Sequence, residues 1–306
     1  VLDCLSLQSD CKCINFFPSD KIIMHKSGFV NIIGNPNVGK STLTNALIGE
    51  KISIVSPKAQ TTRQRVLGFL NEDDYQIIFS DTPGYINKVS YSLHQKMLDY
   101  VDEAVLDADI LILLLESGQL SINEDLQEKV NKLEVPLLVI INKIDLSNQE
   151  KVEEEIKACE EMFPKAQILP ASALHGFNID NIRNLIVELC PEHPPYYPKD
   201  IISDRYLRFF VSEMIREQIF FQFQKEIPYH TEVVIDFFKE EEEIPKIGAV
   251  IYVSRNSQKM ILFGKGGSAR KSIEEVLGQH IFLDLRVKIN ENWRNDPNKL
   301  KRLGYE

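Results

Sequence analysis

Residues 29–42 read Phe29-Val-Asn-Ile-Ile-Gly34-Asn35-Pro36-Asn37-Val38-Gly39-Lys40-Ser41-Thr42. An apolar run long enough for one strand ends on Gly34, and six residues later Lys40-Ser41-Thr42 opens a stretch with helical patterning. Gly34 through Ser41 match G-x-x-x-x-G-K-[ST], the phosphate-binding loop. The chemistry follows from the residue types. Gly34 and Gly39 permit backbone angles that turn successive N–H groups inward, and the helix N-terminus adds its partial positive charge. Lys40 places a cation against the β and γ phosphates, and the Ser41 hydroxyl suits Mg²⁺. Asn35, Pro36, Asn37, Val38, Gly39 and Thr42 complete the expected phosphate contacts.

Short apolar runs alternate with helical stretches on the C-terminal side of this unit. The pattern predicts strands at 29–34, 66–70, 75–80, 109–115, 136–142 and 166–170, with helices at 41–49, 93–107, 122–134, 148–163 and 178–189. Runs such as Ile110–Leu115 and Leu137–Ile141 are apolar at every position, as parallel strands covered on both faces require. The alternation predicts an α/β domain with a mostly parallel sheet and helices on both faces. The runs 66–70 and 75–80, four residues apart, read as an antiparallel hairpin at one edge.

Cys190-Pro-Glu-His-Pro-Pro-Tyr-Tyr-Pro-Lys199 breaks this rhythm, because its four prolines continue neither a helix nor a central strand. The expected organisation is therefore a first domain over 24–190, a proline-rich linker over 191–200 and a smaller α+β domain over 201–306. In that second domain the patterning predicts a helix over 204–222, strands near 231–239, 247–254 and 259–263, a glycine-rich turn, a helix from Ser268 and a strand at 281–289.

The 306 residues suffice for two cores. The net charge of −10 argues on its face against nucleic acid, but residues 200–306 hold 17 basic and 17 acidic groups. Residues 1–199, with 18 and 28, carry the whole excess. No apolar run approaches the roughly 18 residues of a membrane span, so any membrane contact is expected to be peripheral. Five cysteines without metal-ligand spacing suit a reducing cytosol. Residues 1–23 lack a secretory pattern and read as a disordered or upstream extension, with Met24 the expected natural start. The six histidines form no catalytic or metal constellation, and His94 and His175 read as surface or loop residues.

Two further motifs complete a nucleotide site. Asp81-Thr82-Pro83-Gly84 follows a strand 40 residues after the phosphate-loop serine. Asp81 can hold Mg²⁺ through water, and the Gly84 N–H can bond a γ phosphate. Asn142-Lys143-Ile144-Asp145 also follows a strand. The Asp145 carboxylate can accept from guanine N1–H and the exocyclic amine, a donor pair adenine lacks, so the motif selects GTP over ATP. Ser172-Ala173 would offer backbone N–H to guanine O6. The polar loop Ser56–Arg63 lies where a nucleotide-sensing switch belongs, and Thr62, with Thr61 next in preference, is the expected Mg²⁺ ligand there. Lys40, Thr62 and Gly84 are the candidate catalytic residues, with Ser41, Thr62 and Asp81 around the metal.

In the second domain, Gly264-Lys265-Gly266-Gly267 fits the G-x-x-G loop of KH domains, through which nucleic-acid backbone approaches a helix N-terminus. From Arg255 to Lys271 there are five basic residues and no acidic one, including Lys265, Arg270 and Lys271. The same loop can also serve as a plain helix entry; the basic stretch favours RNA. Trp293 and Tyr305 read as packing residues rather than base-stacking ones, as do Phe209, Phe210, Phe220, Phe221 and Phe223.

These motifs in this order resemble the Era family of bacterial ribosome-assembly GTPases, carried by Lys26–Phe29, Gly34–Leu47, Lys58–Arg63, Asp81–Gly84 and Asn142–Asp145. The resemblance covers about 24–306. It implies a P-loop GTPase domain followed by a type II KH domain, with GTP and GDP as substrate and product and Mg²⁺ as cofactor. It further implies a monomer that binds 16S rRNA near its 3′ end and the 30S subunit late in its assembly, cytoplasmic and with membrane contact only at the periphery. Tyr85 stands where Ras-type GTPases carry the glutamine that orients the attacking water. The resemblance implies slow hydrolysis and water positioning by other means. A membrane-surface signalling GTPase and a GTPase of tRNA modification are the rival readings.

Overall fold

The structure is a computed structural model. It describes residues 25–86, 88–239, 244–262, 274 and 280–305. Two sheets organise it. The first has six strands: β1 (Lys26–Gly34), β2 (Val66–Asn71), β3 (Tyr75–Asp81), β4 (Ile110–Glu116), β5 (Leu137–Asn142) and β6 (Gln167–Pro170), in the order β2-β3-β1-β4-β5-β6. Only the β2/β3 hairpin is antiparallel.

Alternate residues of the apolar strands serve two different cores. Val30, Ile32, Ile112, Leu114, Leu138 and Ile140 face helices α1 (Lys40–Ile48) and α5 (Ile179–Leu189). Ile33, Leu111, Leu113, Val139 and Ile141 face α2 (Ser92–Leu106), α3 (Glu124–Asn131) and α4 (Gln149–Met162). Burial on both faces is why β4 and β5 carry no polar alternation. The motif loops at 34–41, 81–84 and 142–145 lie at the carboxyl ends of β1, β3 and β5, where parallel sheets bind ligands.

The proline-rich segment is strapped to this domain. Tyr197 stacks on Phe69 with ring centroids 4.4 Å apart, and Tyr196 packs on Phe29 at 5.1 Å. The fully buried Gln76 accepts from the backbone N–H of Tyr196 (2.8 Å) and Tyr197 (2.9 Å), and donates to the Tyr197 carbonyl at 2.9 Å. Beyond it, Phe69 N–H bonds Ile202 O and Ser203 Oγ bonds Leu67 O, so residues 201–203 cover the open edge of β2.

The second sheet has the order β7-β8-β9, with β7 (Thr231–Lys239) antiparallel to β8 (Lys246–Val253) and β8 parallel to β9 (Phe282–Ile289). Helix α6 (Leu207–Gln222), the short α7 (Ile227–His230) and α8 (Asn256–Leu262) accompany it. The expected strand at 259–263 is therefore a helix over its described part. Gln258 Oε1 accepts from Ser254 and Arg255 N–H, and Gln258 and Leu262, four apart, are buried while Met260 and Ile261 are exposed. A run of Met-Ile-Leu-Phe has no period of its own, and the capping glutamine decides it. Helix α6 begins at Leu207 rather than 204. The G-x-x-G loop Gly264–Gly267, Arg270, Lys271 and the acidic run 240–243 lie outside the described residues.

A short 3-10 turn (Trp293–Asn295) and α9 (Pro297–Arg302) end the described chain. Trp293, Leu300 and Tyr305 are buried against Leu93, Met97 and Tyr100 of α2, so the tail packs on the first domain. Phe220 and Phe223 are core and Phe209 and Phe210 pack on the first domain's core, whereas Phe221 is exposed.

Candidate functional site: a nucleotide cleft

A cleft of about 470 Å³ opens between the phosphate loop, the 54–62 loop, and the ends of β5 and β6. Pro36, Asn37, Gly39, Lys40, Ser41, Thr42, Thr82, Gly84, Asn142, Lys143, Asp145 and Ser172 all line it. Asn35, Val38, Asp81, Pro83 and Ala173 do not line it, though each is the chain neighbour of a residue that does. Two glycines have no substitute. Gly39 has φ +100°, and a Cβ there would lie 2.4 Å from Asn142 Nδ2; a Cβ on Gly84 would meet the Pro36 Cα at 2.7 Å.

At the phosphate end, Lys40 is 6% exposed and its Nζ donates to Gly34 O (3.2 Å) and Asn35 O (2.8 Å). Burial pulls its pKa down to about 8, against the opposing charge of Asp81. Asp81 is fully buried, and burial raises its pKa against hydrogen bonds from Ser41 and Thr62 and the charge of Lys40. Its Oδ2 accepts from Ser41 Oγ at 2.7 Å and Thr62 Oγ1 at 3.3 Å, and those two hydroxyls are 2.9 Å apart. Its Oδ1 is buried with no partner. Two hydroxyls and a carboxylate, one of whose oxygens is buried without a partner, form a hard-oxygen corner of the kind Mg²⁺ takes through one or two side chains and several waters. Thr61 turns back into its own loop, bonding Lys58 O at 2.7 Å and Ser56 Oγ at 2.9 Å. Only Thr62 reaches the corner.

At the base end, Asn142 joins three loops. Its Nδ2 donates to Val38 O at 2.8 Å and its Oδ1 accepts from Ala173 N–H at 2.9 Å. Lys143 has φ +62° and pairs with Glu116 at 2.9 Å. Asp145 stands at the rim, with Ser172 Oγ 2.5 Å from Oδ1 and His175 Nε2 3.7 Å from Oδ2. Leu146 and Leu174, 76% and 75% exposed, also line this end. Motif spacing does not single them out; two leucines next to polar guanine-reading motifs were the available signal, since they offer apolar faces for a flat base.

Tyr85 does not line the cleft. Its N–H bonds Gly34 O at 3.0 Å and its side chain packs on the apolar layer under α2 and α3. His94, expected on the surface, is 6% exposed within α2, with Nε2 3.0 Å from Gln60 Nε2 of the loop opposite. Burial, then the charge of Arg294, lowers its pKa. Among the described residues no cluster of His, Cys, Asp or Glu could bind a metal by itself.

A phosphate loop, a Mg²⁺ corner and a guanine-reading end at the top of this sheet, with a KH-like second sheet behind, define a P-loop GTPase joined to a KH domain. Sequence profiles agree: that of the family described as "50S ribosome-binding GTPase" matches residues 29–143, and that of the KH domain matches 226–294. The chain is 42% identical to GTPase Era of Alkaliphilus metalliredigens over 92% of its own length and 99% of the relative's. It is 40% identical to the chloroplastic GTPase ERA-like protein of Arabidopsis thaliana, over 92% and 69%. Two crystal structures, Era with MgGDPNP and nucleotides 1506–1542 of 16S ribosomal RNA and a point variant of Aquifex aeolicus Era bound to GDP·AlF4⁻, each align with a TM-score of 0.85. Each is 35% identical and is matched over 92% of this chain and 99% of its own. The chain belongs to the Era family of GTPases.

Proposed function

We propose that this protein hydrolyses GTP as a timer in the maturation of the small ribosomal subunit, binding 16S rRNA near its 3′ end through the KH domain. The observation that carries the reading is the oxygen corner of Ser41, Thr62 and Asp81. It brings the phosphate loop, the 56–63 loop and the end of β3 to one point. Its support is the likeness, over 92% of the chain, to Era solved with MgGDPNP and 16S ribosomal RNA.

In this reading the loop N–H groups and Lys40 hold the phosphates, and Gly84 N–H faces the γ phosphate. Asp145 binds the guanine N1–H and amine, and Ala173 the O6. Ser41, Thr62 and Asp81 would hold Mg²⁺, which would supply positive charge against the phosphates. Lys40, Thr62 and Gly84 stabilise the charge that develops as water replaces GDP on the γ phosphorus, giving GDP and phosphate. Thr62 has a ligand to reach only while the γ phosphate is present, so the loop that carries it reports the nucleotide state. Gly264–Gly267, Arg270 and Lys271 would bind the RNA backbone.

We place the protein in the cytoplasm as a monomer, with any membrane contact peripheral. The buried free thiols of Cys159 and Cys190 suit a reducing compartment. The test is binding of the purified protein to an RNA matching the 16S 3′ end, beside a Gly266→Asp variant. Binding that is lost in the variant while GTP affinity persists is expected. Equal binding by both proteins would remove the KH loop from the account. No binding by either would turn it toward a membrane or protein partner.

A further inference from the structure

The loop that carries Thr62 belongs as much to the second domain as to the first. Lys51 Nζ pairs with Glu217 of α6 at 2.8 Å, and the other oxygen of that carboxylate accepts from Val55 N–H at 3.1 Å. Lys58 Nζ caps the carbonyls of Phe220 and Phe223 at the C-terminus of α6, where the helix dipole favours a cation. Arg63, the residue after Thr62, is 2% exposed. Its guanidinium donates to Thr231 O (2.6 Å), Pro228 O (2.8 Å) and Glu232 Oε2 (2.8 Å), and lies 5.8 Å from the Trp293 ring. The same Glu232 oxygen accepts from Tyr305 Oη at 2.7 Å.

A guanidinium this deeply buried needs a carboxylate, because an unpaired buried charge costs several kcal/mol. Among the described residues the first domain supplies none to Arg63. Glu232, on β7 of the KH domain and 5% exposed, is the only carboxylate with an ion pair to it among the described residues. Arg63 thus draws its charge partner and its two carbonyl acceptors from the second domain. Thr62 is its chain neighbour, and its hydroxyl stands 2.9 Å from Ser41 Oγ.

We propose that Glu232 is a positioning residue for GTP hydrolysis. Acting through Arg63, it holds Thr62 in the Mg²⁺ corner, so that the RNA-binding domain completes the nucleotide site. The inference rests on the GTPase reading of the cleft and adds to it a residue outside the G domain. Linkage makes the effect reciprocal: a nucleotide that engages Thr62 strengthens domain docking by the same free energy. GDP, with no γ phosphate, gains nothing from Thr62, so Glu232 should matter to one nucleotide and not the other.

The test uses the full chain as wild type, Glu232→Gln, Glu232→Asp and Tyr305→Phe. Two quantities are measured: affinities for a non-hydrolysable GTP analogue with Mg²⁺ and for GDP, and hydrogen exchange of residues 55–63 without nucleotide. Glu232→Gln should weaken the analogue about 5- to 30-fold and leave GDP within about twofold, as expected for a coupling of this kind. It should also speed exchange of 55–63, and Glu232→Asp should recover part of both losses. Tyr305→Phe, which keeps the charge pair and removes one hydroxyl, should shift the affinity ratio the same way by less, and it carries the test if Glu232→Gln does not fold. A ratio of analogue to GDP affinity that stays at the wild-type value in the folded variants, or a parallel loss of both nucleotides, would reduce Glu232 to a structural clip and overturn the proposal. Wild type that binds neither nucleotide would instead defeat the GTPase reading itself.

Discussion

Lys40 and Asp145 show how single residues divide the labour of the cleft. Lys40 is buried as a cation before any phosphate arrives, and its pKa falls from 10.5 to about 8. The unfolded chain therefore holds a proton between those values that the folded chain has released, and stability rises with pH across the window. Below pH 8 the full penalty applies, so nucleotide-free Lys40→Met should exceed wild type in stability there. That excess should shrink as the pH climbs from 8 to 10.5; denaturant midpoints over this range are the check, and a constant difference would contradict it. In the proposed reading Asp145 acts as an acceptor twice over. Asp145→Asn turns one acceptor into a donor facing a donor, and GTP affinity should fall roughly 100-fold, with no gain for ATP, by fluorescent-nucleotide titration. Both residues were legible in the sequence because motif spacing fixes their chemistry. The fall in Lys40's pKa was not, since its first cause is burial, which only the packed loop reveals; Asp81, whose charge opposes that fall, was already placed at the site by motif spacing.

At the scale of elements, the strands of the first sheet were readable because runs such as Ile110–Leu115 are apolar at every position, which only burial on both faces explains. Helix α8 was not, because Met260-Ile-Leu-Phe263 suits a strand or a helix, and the Gln258 cap that settles it is a tertiary detail. The proline-rich segment shows another limit. Its composition marks an irregular connection, but the composition does not reveal that buried Gln76 pins Tyr196 and Tyr197. Gln76→Leu would leave two backbone donors and one carbonyl without partners. It should lower stability by about 2–3 kcal/mol and make residues 193–200 newly sensitive to protease, as denaturation and limited proteolysis would record.

Across the whole molecule the two domains meet on charged residues that patterning leaves unassigned and on aromatics that it reads as packing residues. Arg63, Arg216, Glu232, Trp293 and Tyr305 are all nearly or fully buried. Taken alone, a sequence places arginine and glutamate on the surface; the docked pair accounts for the burial of Arg63 and Glu232, and Arg216 pairs with Glu213 of its own helix. The first domain's loop, the β7 carboxylate and the C-terminal tail on α2 thus form one continuous contact from the Mg²⁺ corner to the RNA-binding domain. On the proposed role of Glu232, such a contact makes nucleotide and RNA linked ligands. That linkage is tested most directly by measuring the affinities for the GTP analogue with Mg²⁺ and for GDP, each with and without saturating RNA of the 16S 3′ end. RNA should tighten the analogue at least about fivefold and leave GDP unchanged. Equal effects on both nucleotides, or none on either, would mean that the two domains share a chain but not a switch.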